Sequence, residues 1–205
     1  MAGFPRLAAW LAAVVVSMVI LFMVPAGYFV AATFASTTCM IVAAFFLGGL
    51  RAPPGLRYGS VLLGIVTAVG LYLVFYVGGA AVDLLHPFGI TSSSESSIYS
   101  LVASPSNPVY VQVALLLFDS AGYESFFRGV LQSRLQARVG PAAAVVVALL
   151  DASLHVATLN PIWVVGTFVT DLVWGLTYYY GKGLQGSFTS HYLWDLAIFV
   201  LRPVK

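Results

Sequence analysis

Charge is what this 205-residue chain has least of. Nine Lys and Arg and seven Asp and Glu make up 8% of it, where a globular domain carries about a quarter of its residues as charges. A soluble surface cannot be built from sixteen charged side chains, so a soluble domain is excluded. Cysteine is nearly absent too. Cys39 stands alone in an apolar run, which excludes a disulfide framework and a cysteine-based metal site. The net charge of +2 is small and its basic residues are scattered, so nucleic acid is not a partner. What is present is apolar: 60% of the residues are hydrophobic and the mean hydropathy is +0.97. Disorder needs the opposite composition. The chain reads as an all-α, polytopic transmembrane helical bundle whose first partner is the lipid bilayer.

A membrane helix needs roughly 20 mostly apolar residues. That rule gives spans from about Leu7 to Val24, Tyr28 to Leu47 and Ser60 to Val82. A polar stretch follows, Asp83 to Asn107, with the serine-rich run TSSSESS. A fourth helix starts near Pro108 and extends to Gln136, about 42 Å against the ~30 Å hydrocarbon core, so its end projects or tilts. Three more run from Pro141 to Asn160, Ile162 to Tyr180 and Ser187 to Leu201, about seven spans in all. Residues 1–83 form apolar N-terminal helices, 84–107 an extramembrane loop, and 108–205 a four-helix core. The loop lacks helix periodicity over most of its length. Its serines suggest a flexible linker, and SIYSLV a segment that rests on the membrane or covers the bundle. Tyr178, Tyr179 and Tyr180 read as an interfacial belt.

The apolar core of the first span exceeds the 7–15 residues typical of a signal peptide, so it reads as an anchor. Basic residues set orientation. With a cytoplasmic N-terminus in the cell membrane, Arg6, Arg51, Arg57, Arg134, Arg138 and Lys182 fall inside. The loop with Asp83 and Glu95 then falls outside, and Arg202 and Lys205 break the pattern.

The first three spans contain no acid, base or histidine. The last four contain Asp119, Glu124, Arg128, Asp151, His155, Asp171, His191 and Asp195. A charge at a helix centre costs about 2.5–3.5 kcal/mol even on the lenient insertion scale, so such residues face a protein interior or a wet cavity. Glu124/Arg128, Asp151/His155 and His191/Asp195 are each four apart and lie on one helix face. Three helices thus present polar pairs that can converge on one pocket. The bland alternative is that each pair neutralises itself within its own helix. No zinc-type spacing such as H-E-x-x-H occurs, so neither a metal nor another cofactor is expected. Ser125, Ser153 and Ser190 are candidate nucleophiles by location only, without a G-x-S-x-G context, and His86 reads as a loop residue.

These residues resemble a known family. YESFFRG, Tyr123 to Gly129, resembles the first motif, E-E-x-x-x-R, of the CPBP intramembrane proteases, which include the CAAX prenyl proteases. DASLH, Asp151 to His155, resembles the second motif, F-x-x-x-H. HYLWD, His191 to Asp195, is similar to the third, H-x-x-x-N or H-x-x-x-D. The resemblance covers the chain from near Pro108 to its end. It implies a glutamate-dependent endopeptidase acting on membrane-associated or prenylated peptides. A motif glutamate and His155 would activate water, His191 and Asp195 would stabilise the oxyanion, and Arg128 would hold the glutamate.

Two positions depart from the pattern. The first glutamate of the pair is Tyr123, leaving Glu124, and the motif phenylalanine is Asp151. A phenol titrates near pH 10 and is no simple base at neutral pH. Three readings stay open: Glu124 is the base, Asp151 or Asp119 supplies a relocated carboxylate, or the chain is an inactive scaffold that binds a partner membrane protein. Transport would call for an inverted repeat, and the two halves are unlike.

Overall fold

The structure, a computed structural model of the chain, describes residues 3–50, 55–81, 92–102 and 107–201. Arg51, Asp83, His86, Arg202 and Lys205 lie outside the described residues, as does the side chain of Glu95. Every regular element among the described residues is helical. Helix α1 spans Gly3–Met23, α2 Phe29–Leu47 and α3 Tyr58–Ala81. These three carry stretches long and apolar enough to cross a membrane: Pro5–Met23, Ala26–Leu47 and Tyr58–Gly79, with hydropathies of 2.2, 2.0 and 2.3. Their outer faces show large side chains such as Ile20, Phe45, Leu62 and Val66, as expected where lipid rather than water is the neighbour.

A short helix, α4 (Ser92–Val102), stands where the sequence suggests a loop. The reason is tertiary. Ile98, Tyr99 and Val102 lie on one face and border the central cavity, and Tyr99 meets Phe199 edge-on at 5.7 Å. Packing of an apolar face, not serine propensity, holds a helix this short. The Ser97 hydroxyl accepts a hydrogen bond from Asn160 Nδ2 at 3.0 Å, which fixes α4 against the turn before α8.

The fourth predicted span is one helical pass in three parts: α5 (Val109–Tyr123), a π-helical stretch (Glu124–Gln132) and α6 (Ser133–Val139). Helices α7 (Ala142–His155), α8 (Pro161–Gly181) and α9 (Leu184–Asp195) follow, with α9 continued by a π turn, Leu196–Leu201. Each expected span therefore corresponds to a helical segment, the first three of them long and apolar enough to cross a membrane. Asn160 starts α8 by accepting from the amides of Ile162 and Trp163, ahead of Pro161 in the first turn, the arrangement that satisfies exposed helix donors.

Close backbone approach sets the positions of the passes. A Cβ on Gly122 of α5 would meet Thr37 of α2, and one on Gly129 would strike the backbone of Gly49. Small residues at such crossings let membrane helices pack by van der Waals contact. One apolar core, with Met18, Met40, Phe126 and Phe127, lies among α1, α2 and the π stretch. A second, with Leu71, Trp174, Trp194 and Ile198, lies among α3, α8 and α9. The polar site sits between these two cores.

Candidate functional site: a histidine between a sealed ion cluster and an open cavity

The π stretch carries Glu124 and Arg128 into the protein interior, where they are 2% and 0% exposed. A π-helix closes its hydrogen bonds from i to i+5 and is frequent at functional sites. Residues four apart are no longer stacked along it. Arg128 Nε stays 3.6 Å from Glu124 Oε2, while Nη2 reaches across to α8 and pairs with Asp171 Oδ1. The expected self-contained Glu124/Arg128 pair is thus one part of a cluster that joins helices. Asp171 also lies within electrostatic reach of Asp151 on the neighbouring α7.

Glu124 points to α9. Its Oε1 is 3.0 Å from His191 Nδ1. The other ring nitrogen of His191 lies 3.4 Å from Asp195 Oδ2, and that oxygen accepts from Ser120 Oγ at 3.3 Å. One face of the imidazole is covered by Trp174, stacked at 3.6 Å with an interplanar angle of 11°. An imidazole with a carboxylate at each nitrogen can donate to both only as the imidazolium. His191 therefore bridges two environments: a sealed ion cluster on its Nδ1 side and an open cavity on its Nε2 side.

The cavity has a volume of about 370 Å³, and Asp119, Tyr123, Asp151, His155, His191 and Asp195 all border it. The rest of its wall is mostly apolar, from α1, α2, α3, α4 and α8. His155 ends α7. Its Nδ1 lies 3.0 Å from the carbonyl oxygen of Asp151, which can only accept, so Nδ1 carries a proton and Nε2 is the basic nitrogen of the neutral ring. Phe22 of α1 and Trp163 of α8 flank that ring at 4.5 and 5.9 Å. Tyr123 stacks on Phe127 at 5.0 Å and meets His191 edge-on at 5.8 Å. Asp119 accepts a 2.6 Å hydrogen bond from Thr37 of α2.

Of the residues singled out in the sequence, His155, His191, Asp195, Tyr123, Asp151 and Asp119 thus meet at one cavity. Glu124 and Arg128 lie behind its wall and act on it through His191. Among the candidate serines, Ser153 Oγ bonds the carbonyl of its own helix at Leu150, and Ser190 accepts from Thr67. Three contributors lie outside the three motifs: Asp171, Trp174 and Thr37. Asp171 has one available signal, an intramembrane acid without an i+4 partner, which requires a partner on another helix. Trp174 sits one turn after it. Nothing in the sequence singles out Thr37, because its role depends on which helix lies beside α5. The first three helices therefore do more than pack, since α1 and α2 supply Phe22 and Thr37.

Residues 105–197 match the family model for the type II CAAX prenyl endopeptidase Rce1-like proteins. This segment, somewhat under half of the chain, is thus similar to the CPBP family. The match begins just before α5 and ends within the π turn after α9, so it takes in the sealed cluster together with Asp119, Tyr123, Asp151, His155, His191 and Asp195 of the cavity. No curated protein and no solved structure matches the chain. The matched segment is helical and similar to a protease-like membrane family, and side chains from the helices before it help to line the cavity.

Proposed function

We propose that the protein is an intramembrane endopeptidase that uses activated water to hydrolyse a peptide bond of a membrane-associated or prenylated substrate. The observation that carries this reading is the cavity itself: one basic histidine nitrogen, several carboxyl groups and a second histidine border a space with otherwise apolar walls. Apolar walls suit a lipid-linked or membrane-embedded peptide. His155 Nε2 handles the proton of the attacking water or of the leaving amine. His191, fixed by Glu124 and Arg128 from behind, presents Nε2 beside Asp195 to the developing oxyanion. Losing one such donor costs about 2.7–4 kcal/mol in comparable hydrolases.

Orientation follows from the basic residues. Arg57 Nη1 donates to the carbonyl of Lys182, Arg134 Nη2 to the carbonyl of Leu47, and Trp10 stacks near the end of α2 on Phe46. Arg6, Arg57, Arg134 and Lys182 thus gather at one end of the bundle, which the positive-inside rule assigns to the cytoplasm. We place the protein in the cell membrane with that end inside, and the cavity's polar residues in its outer part.

The test is turnover of an internally quenched, farnesylated peptide by the purified protein in detergent. The expected outcome is cleavage that resists metal chelators and serine-directed reagents and is lost in His155→Ala. A second reading has one observation behind it: Tyr123 occupies the cavity wall while the retained glutamate, Glu124, is turned to the sealed side. On that reading the protein is an inactive scaffold that binds a partner membrane protein. Absence of cleavage, with co-purification of one membrane partner that persists in His191→Ala, decides for it.

A further inference from the structure

Water activation in this cavity needs a carboxylate that water can reach, and the four best-buried acids are unsuited to it. Glu124 is 2% exposed and committed to His191 and Arg128. Asp171 is fully buried against Arg128. Asp151, 1% exposed, is engaged with Asp171. Asp195, 5% exposed, is held by Ser120 and His191. Asp119 borders the cavity, as Asp151 and Asp195 do, but differs from all four in being only half-buried. It lies four residues before Tyr123 in α5, so the two side chains share a helix face one turn apart. Thr37 holds its Oδ1 from across the α2–α5 crossing at 2.6 Å, which orients the carboxylate without neutralising it.

We infer that Asp119 is the catalytic base, the water-activating carboxylate having moved one helical turn from position 123 to position 119. This rests on the hydrolytic reading above. Asp119 takes a proton from water as the water oxygen bonds to the scissile carbonyl carbon and the carbonyl π pair moves onto its oxygen. When the tetrahedral adduct re-forms the carbonyl, the C–N bond breaks with its electron pair on nitrogen. The proton held by Asp119 passes to that nitrogen, directly or through His155. One water is consumed, an acid and an amine are formed, and Asp119 returns to the carboxylate.

The relocation makes a demand that a structural role for Asp119 does not. A carboxylate restored at position 123 has to compensate for one removed at 119. The experiment compares wild type, Asp119→Asn, Tyr123→Glu and the double variant Asp119→Asn/Tyr123→Glu as full-length chains in detergent. The probe is the farnesylated quenched peptide, with kcat and KM determined separately. Monodisperse elution and the thermal midpoint report on folding for each variant. The expected result is a fall in kcat of about 100-fold or more in Asp119→Asn, the lower end of the range for general acid–base groups. KM stays near its wild-type value, and at least tenfold of the lost kcat returns in the double variant. Wild-type-like kcat in Asp119→Asn overturns the assignment and leaves the hydrolytic reading standing. Loss in Asp119→Asn without recovery in the double variant also overturns it, giving Asp119 a structural role. A wild-type protein that does not cleave the peptide, while Tyr123→Glu does, overturns both and makes the native chain a scaffold. No cleavage by any variant likewise overturns both.

Discussion

The two sides of His191 are both built from ionisable side chains and do opposite things with them. On the Nδ1 side, Glu124, Arg128 and Asp171 are almost completely buried and contact one another or neighbouring donors. On the Nε2 side, Asp119, His155 and Asp195 border a cavity lined mainly by apolar groups. Charges sealed inside a low-dielectric interior hold helices in register, and removing one partner leaves the others stranded. Groups that face a cavity keep the freedom to exchange protons with whatever enters it. The difference teaches that intramembrane charge is not in itself a mark of chemistry. What separates the two roles is whether the charged group opens onto a space a substrate can enter.

The comparison can be broken first at Arg128. Arg128→Met strands Glu124 and Asp171 together, so a stability loss of about 3–5 kcal/mol is expected, read as a collapse of the thermal midpoint in detergent. A midpoint unchanged from wild type removes the sealed cluster as a structural element. Next comes the cavity side. His155→Gln is expected to lower kcat about 100-fold, or about 2.7 kcal/mol of barrier, with far less effect on the midpoint than Arg128→Met. If the two variants lose stability alike, the division between the two sides fails. Asp171→Asn keeps the shape but removes the charge paired with Arg128. Thermal unfolding is expected to show a loss of about 1–3 kcal/mol, with kcat reduced less than in His155→Gln. Thr37→Val deletes the donor to Asp119 and is expected to cost about 1 kcal/mol, visible in kcat before the midpoint. Smallest of all, Ser125→Ala is expected to leave turnover of the quenched peptide unchanged, and any large loss there reopens serine chemistry.

Much of the site was legible because membrane helices tolerate so few polar residues. His191 and Asp195, four apart, do face one space, and so do Asp151 and His155. The same spacing also holds at Glu124 and Arg128, which stay 3.6 Å apart, but the π-helical backbone between them, which no sequence period announces, opens the pair to other helices. Arg128 accordingly finds its main partner on α8. The missing element α4 has another cause. Its apolar positions 98, 99 and 102 make too short a pattern to outweigh the serines, and it forms against surfaces supplied by distant parts of the chain. Thr37 is illegible for a similar reason: its function depends on Gly122 letting α2 and α5 approach.

The stack of Trp174 on His191 has an optical consequence. An indole 3.6 Å from an imidazole and nearly parallel to it is a fluorophore mounted on the site's own bridging ring, and its emission is quenched more strongly by a protonated imidazole than by a neutral one. Trp10, Trp163 and Trp194 complete the set of four tryptophans, so replacing those three by phenylalanine leaves an intrinsic reporter at the junction of the sealed and open sides. Binding of a peptide, a shift of α9 or a change in the charge on His191 then becomes a change in brightness, followed in real time and without a label.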